Sequence, residues 1–195
     1  AYLGPSAFFD CESLTTIIIG NNVADIENAT FSGCEKLTNI TMGTSIQSIK
    51  ESAFYNCQEI VSFDIPASIN AIDIEAFTLC DKLSAFTVDS TSLSFSSMDG
   101  ILYSKDMSIL YRFPVAKTDA TFIIPSSVEI IERGAFEYCY DLTAITIPEG
   151  VTTIKWAAFS NCYGLTQITI PNSVTTIEGC AFINCNNVTS VHLGS

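Results

Sequence analysis

The chain has 195 residues, of which 48% are hydrophobic and only 15% charged, with a formal net charge of −13. This apolar content excludes a disordered tail, and with no run approaching ~18 consecutive apolar residues nothing in the chain spans a membrane as a helix. The acidic balance excludes nucleic acid and anionic lipid surfaces as partners, because both need clustered Lys and Arg.

The chain opens on "AYLGPSAFFDC", without an initiator Met or a secretory signal, which reads as a processed product or an excised piece of something longer. Localisation cannot then be taken from the sequence directly. From this point a fixed line recurs. Phe8, Phe31, Phe54 and Phe77, then Phe136, Phe159 and Phe182, are each followed three positions later by Cys11, Cys34, Cys57, Cys80, Cys139, Cys162 and Cys185. Six positions after each Phe stands Leu14, Leu37, Ile60, Leu83, Leu142, Leu165 or Val188, and apolar residues follow at the ninth and eleventh positions. Within each block the repeat is 23 residues.

The segment L-x-x-I-x-I ends in two apolar residues one position apart, the period of a strand with one buried face. Eight such strands are predicted, starting near residues 14, 37, 60, 83, 119, 142, 165 and 188. Pro66, Pro125, Pro148 and Pro171 follow the strands, where a missing N–H matters least. Stretches such as "VTTIEGCAF" predict a brief extended piece and a turn, and "AFxxC" a single helical or 3₁₀ turn with Phe and Cys on one side. One coil of this kind cannot bury its own apolar face, whereas stacked coils bury a continuous core with parallel strands about 4.8 Å apart.

The array breaks once: 36 residues instead of 23 separate Val88 from Ile124. The insert carries the turn signals Met98-Asp99-Gly100 and Lys105-Asp106-Met107-Ser108 around Ile101-Leu102-Tyr103 and Ile109-Leu110-Tyr111, which predicts a β-hairpin projecting from one edge. The expected organisation is one solenoid domain over 1–195, with N-terminal repeats at 1–88, an elongated repeat at 89–118 and C-terminal repeats at 119–195. Its class is an α/β-type repeat solenoid dominated by strands.

"IPNSVTTIEGCAFINCNNVTSV" and "IPEGVTTIKWAAFSNCYGLTQITIP" resemble the BspA-like leucine-rich repeat, and "SSMDGILYSKDMSILYRFP" resembles the hairpin variant of that family. The resemblance covers essentially the whole chain. It implies a curved array with one parallel sheet, usually secreted or surface-anchored, with members implicated in binding host proteins or other cells. It carries no catalytic residues over. Thr30 departs from the Ala before the ladder Phe, and Asp119 stands where a strand-start Leu belongs, as expected at the re-entry from the hairpin. The chain starts inside a repeat, with Leu3 in the column of Ile26, and stops just after a strand at Leu193. Neither end supplies the polar cap a solenoid needs, so the native molecule is expected to continue, or its ends to pair with something.

The candidate chemistry is thin. Stacked cysteines have Cα atoms about 4.8 Å apart, within disulfide range, but parallel side chains hold their Cβ atoms beyond the usual ~3.8 Å. A straight column with no His beside it cannot converge on zinc, so the ladder reads as buried reduced thiols acting as small hydrophobes. Cys180 lies off the ladder, in a column held by Ser6, Ser52 or Gly134, and is the expected accessible thiol. His192, the only His, has no third group to make it a base. Asp73/Glu75 and Asp25/Glu27 read as solvated turns. Asn28, Asn39 and Asn187 begin N-x-[ST] sequences at about the frequency chance would give in a chain this rich in Ser and Thr. No cofactor and no metal is expected, and an enzyme would need a cleft that this spacing does not build.

There remains the outward face of the strands, carrying Thr16, Thr41, Asp64, Thr87, Thr121, Thr146 and Thr169 beside a second row of Thr15, Thr38, Val61, Ser84, Thr143, Thr166 and Thr189. Threonine is a good strand former on any solvated sheet, and the same face is where a solenoid makes its contacts. Tyr103, Tyr111 and Phe113 on the hairpin, with Trp156 and Tyr163 on turns, are the aromatic anchors the face lacks. The expected function is a non-catalytic protein- or glycan-binding module, adhesin-like, of a secreted or cell-surface protein, with no direct membrane insertion. The alternative is a spacer or stalk whose binding activity lies elsewhere. A smooth threonine face favours the spacer; an aromatic or acidic patch around the hairpin favours the binder.

Overall fold

The computed structural model describes residues 1–194, apart from the side chain of Ile74. The chain divides into two compact units, Ala1–Gly100 and Ile101–Ser195. Each is built of coils stacked in register at the repeat spacing. In the first unit Thr16–Ile19 pairs in parallel with Asn39–Met42, and Ser62–Ile65 with Ala85–Val88. In the second, Thr121–Ile123 pairs with Ala144–Thr146, and Gln167–Ile170 with Ser190–Leu193. Equivalent residues face each other: Ile17 stands opposite Ile40, Phe63 opposite Phe86 and Ile168 opposite Val191. These are the strands that L-x-x-I-x-I predicts, and strand alternation turns Ile17, Ile19, Phe63, Ile65, Ile168 and Ile170 inward.

The short extended pieces form parallel sheets of their own, so each coil contributes to two sheets instead of the one expected. Asp25–Ile26, Ser48–Ile49 and Ala71–Ile72 pair in the first unit. Ile130–Ile131, Thr153–Ile154 and Thr176–Ile177 pair in the second. Ile26, Ile49, Ile131 and Ile154 are buried on their inner side. Between short strand and ladder Cys the backbone turns twice into the left-handed region, two residues before and two residues after the Phe, as at Ser52 and Asn56 (φ 56° and 57°). Among the described residues only the coil at Ile74–Phe77 tightens its first turn into a 3₁₀ helix, where the Asp73 carboxylate accepts the Glu75 N–H.

At this corner the phenylalanines stack. Ring centroids lie 5.5 Å apart from Phe8 to Phe31 and from Phe31 to Phe54, and 5.8 Å from Phe54 to Phe77. In the second unit the steps are 5.3 Å from Phe113 to Phe136, 4.8 Å to Phe159 and 4.9 Å to Phe182. Phe63, Phe86 and Phe122 meet these columns edge-on from the long strands. Such pairs add about 0.5–1.5 kcal/mol each beyond the area they bury. Six of the Phe amides also donate one coil onward, as Phe54 does to Ala76 at 2.9 Å and Phe136 to Ala158 at 2.7 Å.

Phe113 corrects the reading of the insert. It was an aromatic candidate on a projecting hairpin; it is the first ring of the second unit's ladder and fully buried. Ile101–Ser104 and Ile109–Arg112 do form the predicted antiparallel hairpin. Its second strand, however, continues the short-strand sheet through Ile109 opposite Ile130 and Leu110 opposite Ile131. The hairpin is therefore part of the sheet, and Leu102 and Tyr103 are buried. The chain regains register at Phe113, ahead of the re-entry expected near Asp119, which sits exposed in an ion pair with Lys117 at 2.7 Å. Arg112 takes the column elsewhere held by Ala135 and Ala158. It is buried and donates from Nη1 to the Gly134 carbonyl at 2.5 Å.

Phe8 and Cys11 were expected inside the ladder but are exposed, Phe8 at 43%, because their coil has a neighbour on one side only. Phe182 and Cys185 are half-buried for the same reason. The ladder predicts graded losses of stability. Phe54→Ala and Phe113→Ala should each cost about 3–5 kcal/mol in chemical denaturation, and Phe8→Ala clearly less. A Phe113→Ala loss as small as that of an exposed residue would remove Phe113 from the core.

Candidate functional site

The ladder cysteines do more than fill space. All eight cysteines are thiols, and six of the ladder donate to the Phe carbonyl of the preceding coil. Cys57 Sγ reaches the Phe31 oxygen at 3.2 Å, Cys80 the Phe54 oxygen at 3.2 Å and Cys162 the Phe136 oxygen at 3.0 Å. Cys34, Cys139 and Cys185 repeat the contact. The same carbonyl accepts the Cys amide of its own coil, as Phe31 does from Cys34 at 3.1 Å, so both of its lone pairs are used. Reading Cys as a small hydrophobe missed this second role, because the weak S–H donor shows its use only when a carbonyl stands beside it.

Burial pushes the thiols up, away from the nucleophilic thiolate: Cys34 to about 11, where Cys11 also contributes, and Cys139 to about 12 despite the opposing charge of Arg112. Cys57 and Cys162 are raised further by burial and by the neighbouring ladder thiols. These sulfurs are poor candidates for covalent chemistry. Cys180 is exposed as expected, at a left-handed turn position with φ 58°. His192 is exposed opposite Thr169, with no hydrogen bond to an acid or a thiol among the described residues.

The outward threonine face lies where it was expected. Thr16, Thr41, Asp64, Thr87, Thr121, Thr146 and Thr169 are all exposed. Thr87 donates to the Asp64 carboxylate one coil away. The second row is largely spent on holding coils together: Thr38 donates to the Thr15 carbonyl at 3.2 Å, Ser84 to Val61 at 3.0 Å, Thr143 to Ala120 at 2.9 Å and Thr189 to Thr166 at 3.3 Å. Between the long strands of the second unit lies a shallow hollow of about 310 Å³, lined by Ala144, Thr146, Gln167 and Thr169 over Ile145 and Ile147, without a charged group.

Tyr103 is withdrawn as a contact residue, since no part of it reaches solvent. Tyr111 is half-buried, and burial beside Glu132 raises its hydroxyl above the ordinary range. Exposed aromatics lie in both units, Tyr2, Phe8, Phe9 and Tyr55 in the first and Tyr140, Trp156 and Tyr163 in the second, and those of the second unit sit on its turns. Tyr140 and Tyr163 stack at 5.4 Å and 10°, and Tyr138 meets Tyr140 edge-on at 6.0 Å. The Tyr163 hydroxyl donates to Asn161 Oδ1 at 3.2 Å, and Asn184 Nδ2 donates to the same oxygen at 2.9 Å. Trp156, 43% exposed, carries the Arg133 guanidinium 4.8 Å above its ring. The sequence reading named Trp156 and Tyr163 but missed Tyr138 and Tyr140. The signal was present: they flank Cys139, in columns that elsewhere hold mostly small or polar residues such as Asp10, Asn56, Glu35 and Gln58.

Residues 1–101 and 115–195 match the family described as BspA type Leucine rich repeat region, in six copies. The chain belongs to that family, and the hairpin's second strand falls in the interval the match leaves out. Among solved structures, a leucine-rich repeat protein from Eubacterium ventriosum is 25% identical with a TM-score of 0.86, covering 99% of this chain and 57% of that one. A leucine rich cell surface protein from Faecalibacterium prausnitzii is 27% identical with a TM-score of 0.71, covering 96% and 62%. One from Bacteroides ovatus is 25% identical with a TM-score of 0.65, covering 100% and 53%. This chain thus spans between about half and two thirds of their lengths. No protein with a curated description matches the sequence. No helix among the described residues is long and apolar enough to cross a membrane.

The thiol geometry sets two expectations. In native protein Cys11 and Cys180 should react quickly with a thiol reagent and Cys34, Cys57, Cys80, Cys139 and Cys162 slowly, with all eight reacting after denaturation; fast labelling of Cys57 would contradict the hydrogen-bonded ladder. A thiol held above its unfolded value of about 9 binds its proton more tightly in the folded state. Its stabilisation is present below pH ~9 and lost as pH rises towards 11–12, so the melting midpoint should fall as pH rises from about 9 to 11.

Proposed function

We propose that the chain is a non-catalytic binding module of a secreted or cell-surface protein, contacting a protein or glycan ligand through side chains displayed on a stiff solenoid. The observation that carries the reading is the exposed Tyr140–Tyr163 stack, with half-buried Tyr138 edge-on to Tyr140, on turns held by the Phe and Cys ladders. Tyrosine supplies contact area at a low cost in side-chain entropy and is enriched where binding energy concentrates. The groups with intrinsic reactivity, the ladder thiols, are mostly buried and protonated, which argues against catalysis. Likeness to the cell-surface protein of Faecalibacterium prausnitzii supports placement outside the cell, and the acidic charge disfavours nucleic acid as a partner. Within each unit the exposed Thr face, Thr16, Thr41 and Thr87 in the first and Thr121, Thr146 and Thr169 in the second, offers further contact surface.

The spacer reading keeps one observation of its own: the hydroxyls of Thr38, Ser84, Thr143 and Thr189 are taken up by neighbouring coils. Binding of the fluorescently labelled chain to intact epithelial and bacterial cells separates the two. The binder gives saturable binding that drops at least tenfold in a Tyr140→Ala/Tyr163→Ala double variant. Absence of saturable binding would make the chain a spacer.

A further inference from the structure

We infer that the tyrosine cluster of the second unit is a binding site for neutral glycans. The inference rests on the binding-module reading and names the ligand class of its aromatic site. Tyr140 and Tyr163 are 46% and 40% exposed and stack in one column. The column position before them is Lys117, which is paired with Asp119, and the position after is Asn186. No third ring stacks on Tyr163 among the described residues, so the stack ends on an aromatic face beside exposed asparagines. A π-face is negative at its centre and attracts the weakly positive C–H groups on one side of a sugar ring. The exposed Asn184 and Asn186 lie in the next coil with amides that both donate and accept, which suits hydroxyl groups that do the same. The hydrogen bonds from Tyr163 and Asn184 to Asn161 Oδ1 hold this arrangement in place before any ligand arrives.

Size favours a sugar over a protein. With aromatic side chains offering ~200 Å² each, the exposed parts of Tyr140 and Tyr163 amount to roughly 170 Å². A standard protein interface needs about 800 Å² from each partner, whereas one or two sugar rings are covered by far less. Charge narrows the class further. Asp141 adjoins Tyr140, Lys117 is neutralised by Asp119 and the chain carries a net charge of −13, so sialylated or sulfated chains would be repelled.

Backbone geometry gives an independent reason to regard the cluster as functional. Tyr138 sits at φ 65° in a column otherwise held by Asp10, Gly33, Asn56, Leu79, Asn161 and Asn184. The left-handed region favours Asn, Asp and Gly and disfavours a bulky ring. Outside Leu79, Tyr138 is the one place where this column gives up the favoured residue, and it does so beside the stacked tyrosines.

The test is titration of the chain with neutral β-glucan, mannan and N-acetyllactosamine oligosaccharides, with sialylated and sulfated counterparts in parallel. A single ring should bind with a Kd on the order of 1 mM, and more tightly when presented on a multivalent support. Tyr140→Ala and Tyr163→Ala should each weaken binding at least tenfold, while Tyr55→Ala, an exposed tyrosine of the first unit, leaves it unchanged. Tyr138→Asn should weaken binding yet raise the melting midpoint by about 2–4 °C, a pairing that a purely structural tyrosine would not give. Absence of binding to any neutral glycan, equal binding of the acidic forms, or indifference to Tyr140→Ala and Tyr163→Ala would overturn the inference. Cell binding that survives enzymatic removal of glycans but is lost in the double variant would also overturn it, leaving a protein ligand and the binding-module reading intact. Loss of all cell binding by the unaltered chain would remove the module reading itself.

Discussion

Where two coils carrying both Phe and Cys stack, the carbonyl of the first Phe is the junction on which they depend. It accepts the amide of the Cys three residues on and, across the gap between coils, the thiol of the next Cys, as Phe31 does from Cys34 and Cys57. The Phe amide meanwhile donates to the coil beyond, and the ring stacks on its equivalent at about the strand spacing. These contacts require the same phase between coils. A coil shifted by one residue would lose its ring contact, its thiol bond and its strand pairing together, which is why the line is rewritten with so little change.

From that constraint the distribution of chemistry follows. Because the corner must be filled by Phe, Cys and a small residue such as Ala53 or Ala158, those columns are closed to functional use. The same holds for Thr38, Thr143 and Thr189, whose hydroxyls satisfy carbonyls one coil away. Variation is tolerated where a turn residue touches neither neighbour's ladder, and there the second unit places Tyr138, Tyr140 and Tyr163. A stiff scaffold with a few unusual side chains on its turns is the arrangement repeat proteins use for recognition.

The elongated repeat shows how the array absorbs extra chain. The hairpin joins the short-strand sheet through Ile109–Arg112, and Arg112 fills an alanine column by donating to the Gly134 carbonyl. A guanidinium there is tolerable because a buried donor with a carbonyl partner avoids part of the penalty of an unpaired charge. Phe113 then begins the second unit's stack.

The sequence by itself determined the repeat, the eight long strands, their inward residues and the file of Phe and Cys, because each depends on spacing along one chain and spacing is visible in one dimension. It also marked the hairpin through its turn residues. Tertiary structure alone decided what depends on the neighbouring coil: that Tyr103 and Phe113 lie inside, that the thiols are donors, that Phe8 and Cys11 are exposed, and that three tyrosines separated in the chain meet on one surface. Burial, hydrogen-bond partners and clustering are relations between coils, and a periodic sequence says which residues align without saying which of them the next coil covers.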